Sequence, residues 1–411
     1  MQELDLNFVR QQFPAFSEPD LQGTVFMENA GGAYMAKHVI ERFNDYFVRC
    51  KVQPYYPNPV SMEAGNRMDE AYSSLSHWLN TSPEHLYFGP STSQNTYVLA
   101  NAVQDWLIAG DEIIVTNQDH EANTGVWRKL QSKGISVIEW GIDPLTGKLE
   151  LEALTSLVSE KTKLLTFPHC SNIVGDVNPV KEICAFAKNN GIRTIVDGVS
   201  FAGHGLPDVS AMGVDAYLFS LYKVYGPHLG CMVISPDFSQ HLSNQSHYFN
   251  EALREKRLMP AGPDHAQIAA VKGVSDYFSA IYRHHFGEAD LAKMEPENLR
   301  SLLHNAEEKL VKKLLSYFES KPNIQVIGPK THKNRAPTIS VVVENHKPWD
   351  IATELGKQGI LVGAGNFYSV RLLEALGIDP QTGVLRLSLV HYSSEADIDR
   401  FIDALDSIIA Q

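Results

Sequence analysis

Between about Glu84 and Ser235 short apolar runs alternate with helical stretches, and this pattern limits the possible folds more than any other feature of the chain. The runs are EHLYFG, DEIIVTN, ISVIEW, TKLLTFP, IRTIVDG, DAYLFSL and GCMVIS, separated by stretches such as NTYVLANAVQDWLIAG and NPVKEICAFAKNNG that often end at glycine. Short apolar runs rich in β-branched and aromatic residues read as strands buried on both faces. A helix between successive strands lets them run parallel while it covers the sheet. The expectation is an α/β fold with a mostly parallel seven-stranded sheet. Ligands of such sheets bind beyond the carboxyl ends of the strands, so the loops after these runs are where chemistry is to be sought.

Beyond about Pro260 the pattern changes. A long helical region, roughly Asp264 to Ser320, carries apolar residues at three- and four-residue spacing. It is followed by NIQVIG, PTISVVVEN, GILVGAG, GVLRLSLV and the helix SEADIDRFIDALDSIIA. Helix plus mostly antiparallel strands implies a smaller α+β C-terminal domain. The expected division is residues 1–28 as an N-terminal segment joining the small domain, 29–275 as the large domain, and 276–411 as the small domain beginning with a long helical connector. With 411 residues there is length enough for two such cores.

The net charge of −13 argues against nucleic acid or an anionic membrane as the main partner. Cys50, Cys170, Cys184 and Cys231 form no CxxC pair and no metal-ligand spacing. The N-terminus lacks the apolar core of a signal peptide, and no apolar run reaches membrane-spanning length. A reduced, cytoplasmic protein is expected.

Asp197 ends the run TIVDG and should sit at the carboxyl end of a buried strand, where a carboxylate is costly without a cation or several donors. Lys223 lies in SLYKVYGPHLG, a Gly-rich and aromatic setting unusual for a solvated lysine. Pyridoxal phosphate (PLP) needs both groups: an amine to hold its aldehyde as an imine, and a carboxylate to keep the pyridine nitrogen protonated. Either residue alone reads more simply as a helix-capping aspartate and a surface lysine; the pair in this setting favours chemistry. FGPSTSQNTYVLANAV, a Gly/Ser/Thr turn feeding a helix, offers N–H groups and hydroxyls to a phosphate, with Thr92 and Ser93 the best-placed contacts. A plain N-cap would look the same. Polar residues also follow two further runs: DHEAN with His120, able to stack on a ring, and HCSNIVGDVNP with Asn172, able to bond a phenolic oxygen, though as isolated residues a satisfied loop histidine and a turn asparagine are the commoner outcomes. Arg386 in GVLRLSLV has no acidic neighbour in sequence, and guanidinium suits two-point gripping of a carboxylate.

Together these segments resemble the class V aminotransferases, in particular the cysteine desulfurase-like branch of fold-type I PLP enzymes. The most specific blocks are HCSNIVGDVNPV, IVDGVSFAGHGLPDV, SLYKVYGPHLG and RLSLVHYSSEADID. The resemblance implies a fold-type I PLP transferase, with Lys223 as the Schiff-base lysine and Asp197 as the partner of the pyridine nitrogen. It implies His120 stacked on the ring, Asn172 at the ring oxygen, and Thr92, Ser93 and Ser220 at the phosphate. Arg386 would take the substrate α-carboxylate, with Asn29 of MENAGG on the substrate side. Four departures stand out. Tyr222 replaces the histidine that usually precedes the lysine, and Ser200 the usual glutamine after the aspartate; both remain cofactor-binding candidates. The family's partner-subunit threonine is lost in MPAGPDHAQ, where Pro263 has no hydroxyl. Moreover, GAGNFYSVRLLEALG lacks the mobile cysteine that carries persulfide in desulfurases. The implied function is PLP chemistry on a small amino acid in a homodimer, by transamination or by lyase chemistry, with racemisation sharing the early steps. A C–S lyase without persulfide cysteine is the nearer alternative and a non-catalytic PLP-fold binding protein the farther one. A metal hydrolase built on His120, His169, His204 or the His284–His285 pair lacks any HExxH-like ligand set.

Overall fold

The computed structural model describes residues 2–410. In chain order the strands are β1 (Val25–Phe26), β2 (Leu86–Gly89), β3 (Glu112–Thr116), β4 (Ser136–Trp140), β5 (Thr162–Pro168), β6 (Arg193–Asp197) and β7 (Ala216–Ser220). Then come β8 (Gly230–Ile234), β9 (Ile324–Ile327), β10 (Thr338–Val343), β11 (Ile360–Leu361), β12 (Gly363–Gly365) and β13 (Val384–Ser388). The seven apolar runs form one sheet in the order β2-β8-β7-β6-β5-β3-β4. Only β8 runs against its neighbours, so the amino end of β8 and the carboxyl ends of the other six share one edge.

Both faces of the sheet are buried, which explains why the runs are continuously apolar. Ile114, Phe167, Val196 and Tyr217 point into one core, and Ile113, Val115, Ile195 and Leu218 into the other. Successive side chains of a strand alternate between faces, so each run supplies both.

The second sheet is antiparallel, ordered β12-β13-β10-β9, with a core of Ile339, Val341, Leu385 and Leu387 against Leu314, Phe318, Phe401 and Leu405. The N-terminal segment reaches this unit by pairing β1 with β11 in parallel.

The continuous helical region of the sequence reading is two helices, His265–Phe286 and Pro296–Glu319. Gly287 takes the left-handed conformation (φ 80°) that ends the first, and Pro296 starts the second. Apolar periodicity persists on both sides of the break and so hid it. The first helix runs unbroken through residues 275 and 276 and packs on the helices Lys37–Arg49 and Pro59–Trp78. No helix among the described residues is long and apolar enough to cross a membrane.

Candidate active site

At the shared edge of the large sheet lies a cavity of about 210 Å³. That is below the ~300–1,000 Å³ of drug-sized pockets and suits a small ring with a polar tail. Its wall is built from the residues following β2, β3, β5, β6 and β7, so the sheet's parallel course gathers loops that are far apart in the chain. Thr92, Ser93, His120, Asn172, Asp197, Ser200, Ser220, Tyr222 and Lys223 all line it.

One end is the amino terminus of the helix Thr92–Gln104. Ser91 caps it, its side chain accepting from the Gln94 N–H at 3.1 Å, and the first backbone turn closes between Asn95 N–H and Ser91 O. The N–H groups of Thr92 and Ser93 precede that bond, and such leading donors, with the helix dipole behind them, favour an anion. Thr92 Oγ1 and Ser220 Oγ lie 2.8 Å apart and join this end to β7. Strand β8 passes so close that a Cβ on Gly230 would sit 2.4 Å from Ser91 C and Thr92 N. The tight approach needs glycine there. Beside it, Tyr222 stacks on His228 with centroids 4.8 Å apart.

Lys223 follows β7 in a fixed loop. Tyr225 holds a left-handed backbone (φ 62°), and its buried hydroxyl donates to Gly203 O at 2.6 Å. A Cβ on Gly203 would fall 2.5 Å from the Lys223 carbonyl oxygen. Burial, then the Arg386 charge, pull the Lys223 ammonium down to about 8 against the opposing pull of Asp197 and Glu28. Asp197 accepts from the Val199 N–H at 2.8 Å, and burial pushes its carboxyl up to about 6. His120 accepts from the Ala122 N–H through Nδ1 at 3.0 Å. Burial, with the charges of Lys223 and Arg386, lowers it to about 4, so the ring is neutral with its proton on Nε2.

Three sequence-predicted residues are placed differently from this group. Asn172 lines the cavity, but both amide atoms are engaged: Nδ2 donates to Phe367 O at 3.0 Å and Oδ1 accepts from Ser369 Oγ at 2.8 Å. Asn29 is off the main cavity. It donates to Ser388 O at 2.8 Å and accepts from the Tyr392 hydroxyl, tying the N-terminal segment to β13, and reaches only a neighbouring space of about 20 Å³. Arg386 also stands behind the wall rather than on it. Its Nη1 donates to Asn172 O at 3.2 Å and its Nη2 to Glu28 Oε1 at 2.7 Å, with Phe367 stacked on it at 3.6 Å.

Sequence reasoning missed Asp119 and Glu28. Asp119 is buried on the cavity wall; Oδ2 accepts from Asn123 at 2.7 Å, Oδ1 has no partner among the described residues, and burial beside Asp197 raises its carboxyl strongly. Its place directly before His120, just past β3, was the available signal. Glu28 gave none, since its partner lies 358 residues away. His169 and His204 take separate partners, Tyr217 and Glu307.

Residues 25–259 and 288–401 match the family described as aminotransferase class-V. The chain belongs to the class-V aminotransferase family. It is 32% identical to the aminotransferase-like protein FGM3 of Gibberella zeae, covering 98% of each chain, and 27% identical to a cysteine desulfurase of Cronobacter sakazakii, covering 97% of each. The apo cysteine desulfurase of Thermococcus onnurineus NA1 shares its fold with a TM-score of 0.85 at 20% identity, over 100% of this chain and 99% of that one. Like its family, this class-V aminotransferase is a PLP-dependent enzyme of the fold-type I α/β architecture. The cavity suits that cofactor. It offers leading helix N–H groups and hydroxyls at one end, a carboxylate beneath, and one amine with a lowered proton affinity.

Proposed function

We propose that this enzyme acts on a small amino acid through Lys223, which holds the cofactor covalently, with transamination or a related lyase reaction as the outcome. The observation that carries this reading is the joint placement of Lys223 and Asp197 on one cavity, the amine lowered to about 8 and the carboxylate close enough to raise it. When bound, PLP supplies an electron sink for charge developing on the substrate carbon.

The chain's own residues divide the remaining work. Thr92 and Ser93 N–H, with the Thr92, Ser93 and Ser220 hydroxyls, seat the phosphate, and Tyr222 closes that end. Asp197 would hold a proton at the ring nitrogen, neutral His120 would cover a ring face, and Ser200 together with the second N–H of the Asn172 amide would address the ring oxygen. Lys223 Nζ would take and return the substrate α-proton, a task suited to an amine whose pKa lies near working pH. Arg386 receives the substrate carboxylate, and Asn29 positions the segment beside it.

Sulfur transfer through a persulfide does not suit this chain. All four cysteines are buried, and burial raises the thiol pKa of Cys170, the one lining the cavity, which disfavours the nucleophilic thiolate. C–S cleavage without a protein persulfide stays as the second reading, supported by the desulfurases among its relatives. We also take the enzyme to be a homodimer. A groove of about 800 Å³, lined by both apolar and charged residues, runs from Tyr55 and Tyr72 to Gly262 and Pro263, the loop that the family resemblance places against a second subunit. A stable, active monomer in light scattering would defeat that.

The test of the main reading is Lys223→Ala. The wild-type protein should show the absorbance near ~420 nm of a lysine-bound cofactor, and the variant should lose it. A variant that keeps the band would overturn the assignment of Lys223.

A further inference from the structure

We propose that Glu28 is a specificity-determining residue of this site, an internal carboxylate that holds the Arg386 seat and that an incoming substrate carboxylate has to displace. The proposal rests on the reading of Arg386 given above and deepens it.

Arg386 is only 3% exposed, and among the described residues its guanidinium has one anionic partner, Oε1 of Glu28 at 2.7 Å. That partnership is incomplete on both sides. Glu28 Oε2 and Arg386 Nε are both buried, and neither has a hydrogen-bond partner among the described residues. A guanidinium binds a carboxylate best through two parallel bonds. Here Glu28 makes one, leaving a donor and an acceptor unsatisfied at the same seat. A free carboxylate able to meet Nη2 and Nε together would make the second bond that Glu28 does not.

The surroundings are shaped for exchange. The Glu28 side chain is 26% exposed, so once displaced it can reach water instead of being stranded as a buried charge. Gly363 leaves it space: a Cβ there would fall 2.3 Å from Oε2 and 2.8 Å from the Phe367 ring. Phe367, which stacks on the same guanidinium, has a left-handed backbone (φ 50°), as does Tyr368 (φ 59°). Glu28 bridges to Ser388 of β13, the strand that also carries Arg386, so backbone pairing holds the two side chains at one place. Two carboxylates cannot share the seat without repulsion. An acid that offers nothing else competes with a tethered rival, whereas an amino acid that also engages the cofactor through its amine has binding energy to displace it. The site is thereby biased against simple carboxylates and towards substrates with several points of attachment.

The experiment titrates the wild-type holoenzyme and Glu28→Gln with L-alanine and with ethylamine, the same skeleton without its carboxylate, following the cofactor absorbance. Glu28→Gln should tighten L-alanine binding by about tenfold, a change of about 1.4 kcal/mol, and leave ethylamine unchanged. Acetate, added as a competitor, should block L-alanine more strongly in the variant. Equal gains for both amines, or none for L-alanine, would overturn the proposal. Should Glu28→Gln fail to fold, Glu28→Asp, one methylene shorter, should shift the ratio in the same direction by less, and an unchanged ratio there refutes it. A holoenzyme without a lysine-bound cofactor band would instead sink the functional reading, so the two failures are distinct.

Discussion

Replacing Gly230 by alanine tests whether the cofactor's phosphate is seated on the helix Thr92–Gln104. The new Cβ would lie 2.4 Å from Ser91 C and Thr92 N and 2.7 Å from Ser91 O, all backbone atoms that cannot rotate away. Ordinary carbon contacts begin near ~3.5 Å, so strand and helix terminus must part by about 1 Å. A hydrogen bond of ~2.9 Å stretched by that amount is lost. Two N–H bonds to a phosphate, each contributing ~1.5 kcal/mol or more, correspond to an affinity loss of about 100-fold. The overpacking itself should destabilise by ~1–3 kcal/mol. The assay is reconstitution of the cofactor-free protein with PLP, followed by absorbance, beside thermal unfolding of the same samples. Gly356→Ala is the control: it lies in the helix Pro348–Lys357 with nothing within 4 Å of the added carbon, and should bind PLP normally. A folded Gly230→Ala protein with wild-type PLP affinity would refute the placement of the phosphate.

Two further outcomes follow from the charges of the site. Because burial lowers Lys223 to about 8, the rate at which cofactor-free protein captures PLP should rise with pH about a midpoint near 8. The neutral amine is the nucleophile, and the ammonium is the form lost as pH increases; a midpoint above 10 would show an unperturbed lysine. Asp197→Asn keeps an acceptor for the Val199 N–H but cannot carry the charge that holds a ring proton. It should retain bound cofactor yet lose turnover by about 10²–10³-fold, the scale of removing one placed electrostatic group. Near-wild-type turnover would dismiss its role.

Much of the fold was legible because strands buried on both faces must be continuously apolar, and the seven runs have no other use. The loops that carry chemistry followed from the same pattern: in a parallel sheet every residue just past a strand is delivered to one edge. Asp197 and Lys223 drew attention by chemistry and position, whereas the role expected of His120 came from the family resemblance. The break at Gly287 was less visible, since glycine and proline there interrupt a helix without interrupting its apolar spacing.

What the sequence determined by itself was the α/β sheet, the edge that carries the site, and an amine and a carboxylate suited to PLP. What only the tertiary structure decided was which of these groups are free to act. Glu28 and Arg386 lie 358 residues apart, and no local pattern announces that the carboxylate of one pairs with the guanidinium of the other. Asn172 looked wholly available, but the loop through Phe367 and Ser369 engages its amide oxygen and one of its two N–H donors. Asn29, expected on the substrate side, also ties the N-terminal segment to Ser388 and Tyr392, which no local pattern announces. The physical reason is common to all three: a side chain's chemistry is local, but its partners are whatever the packed domains bring within hydrogen-bonding distance.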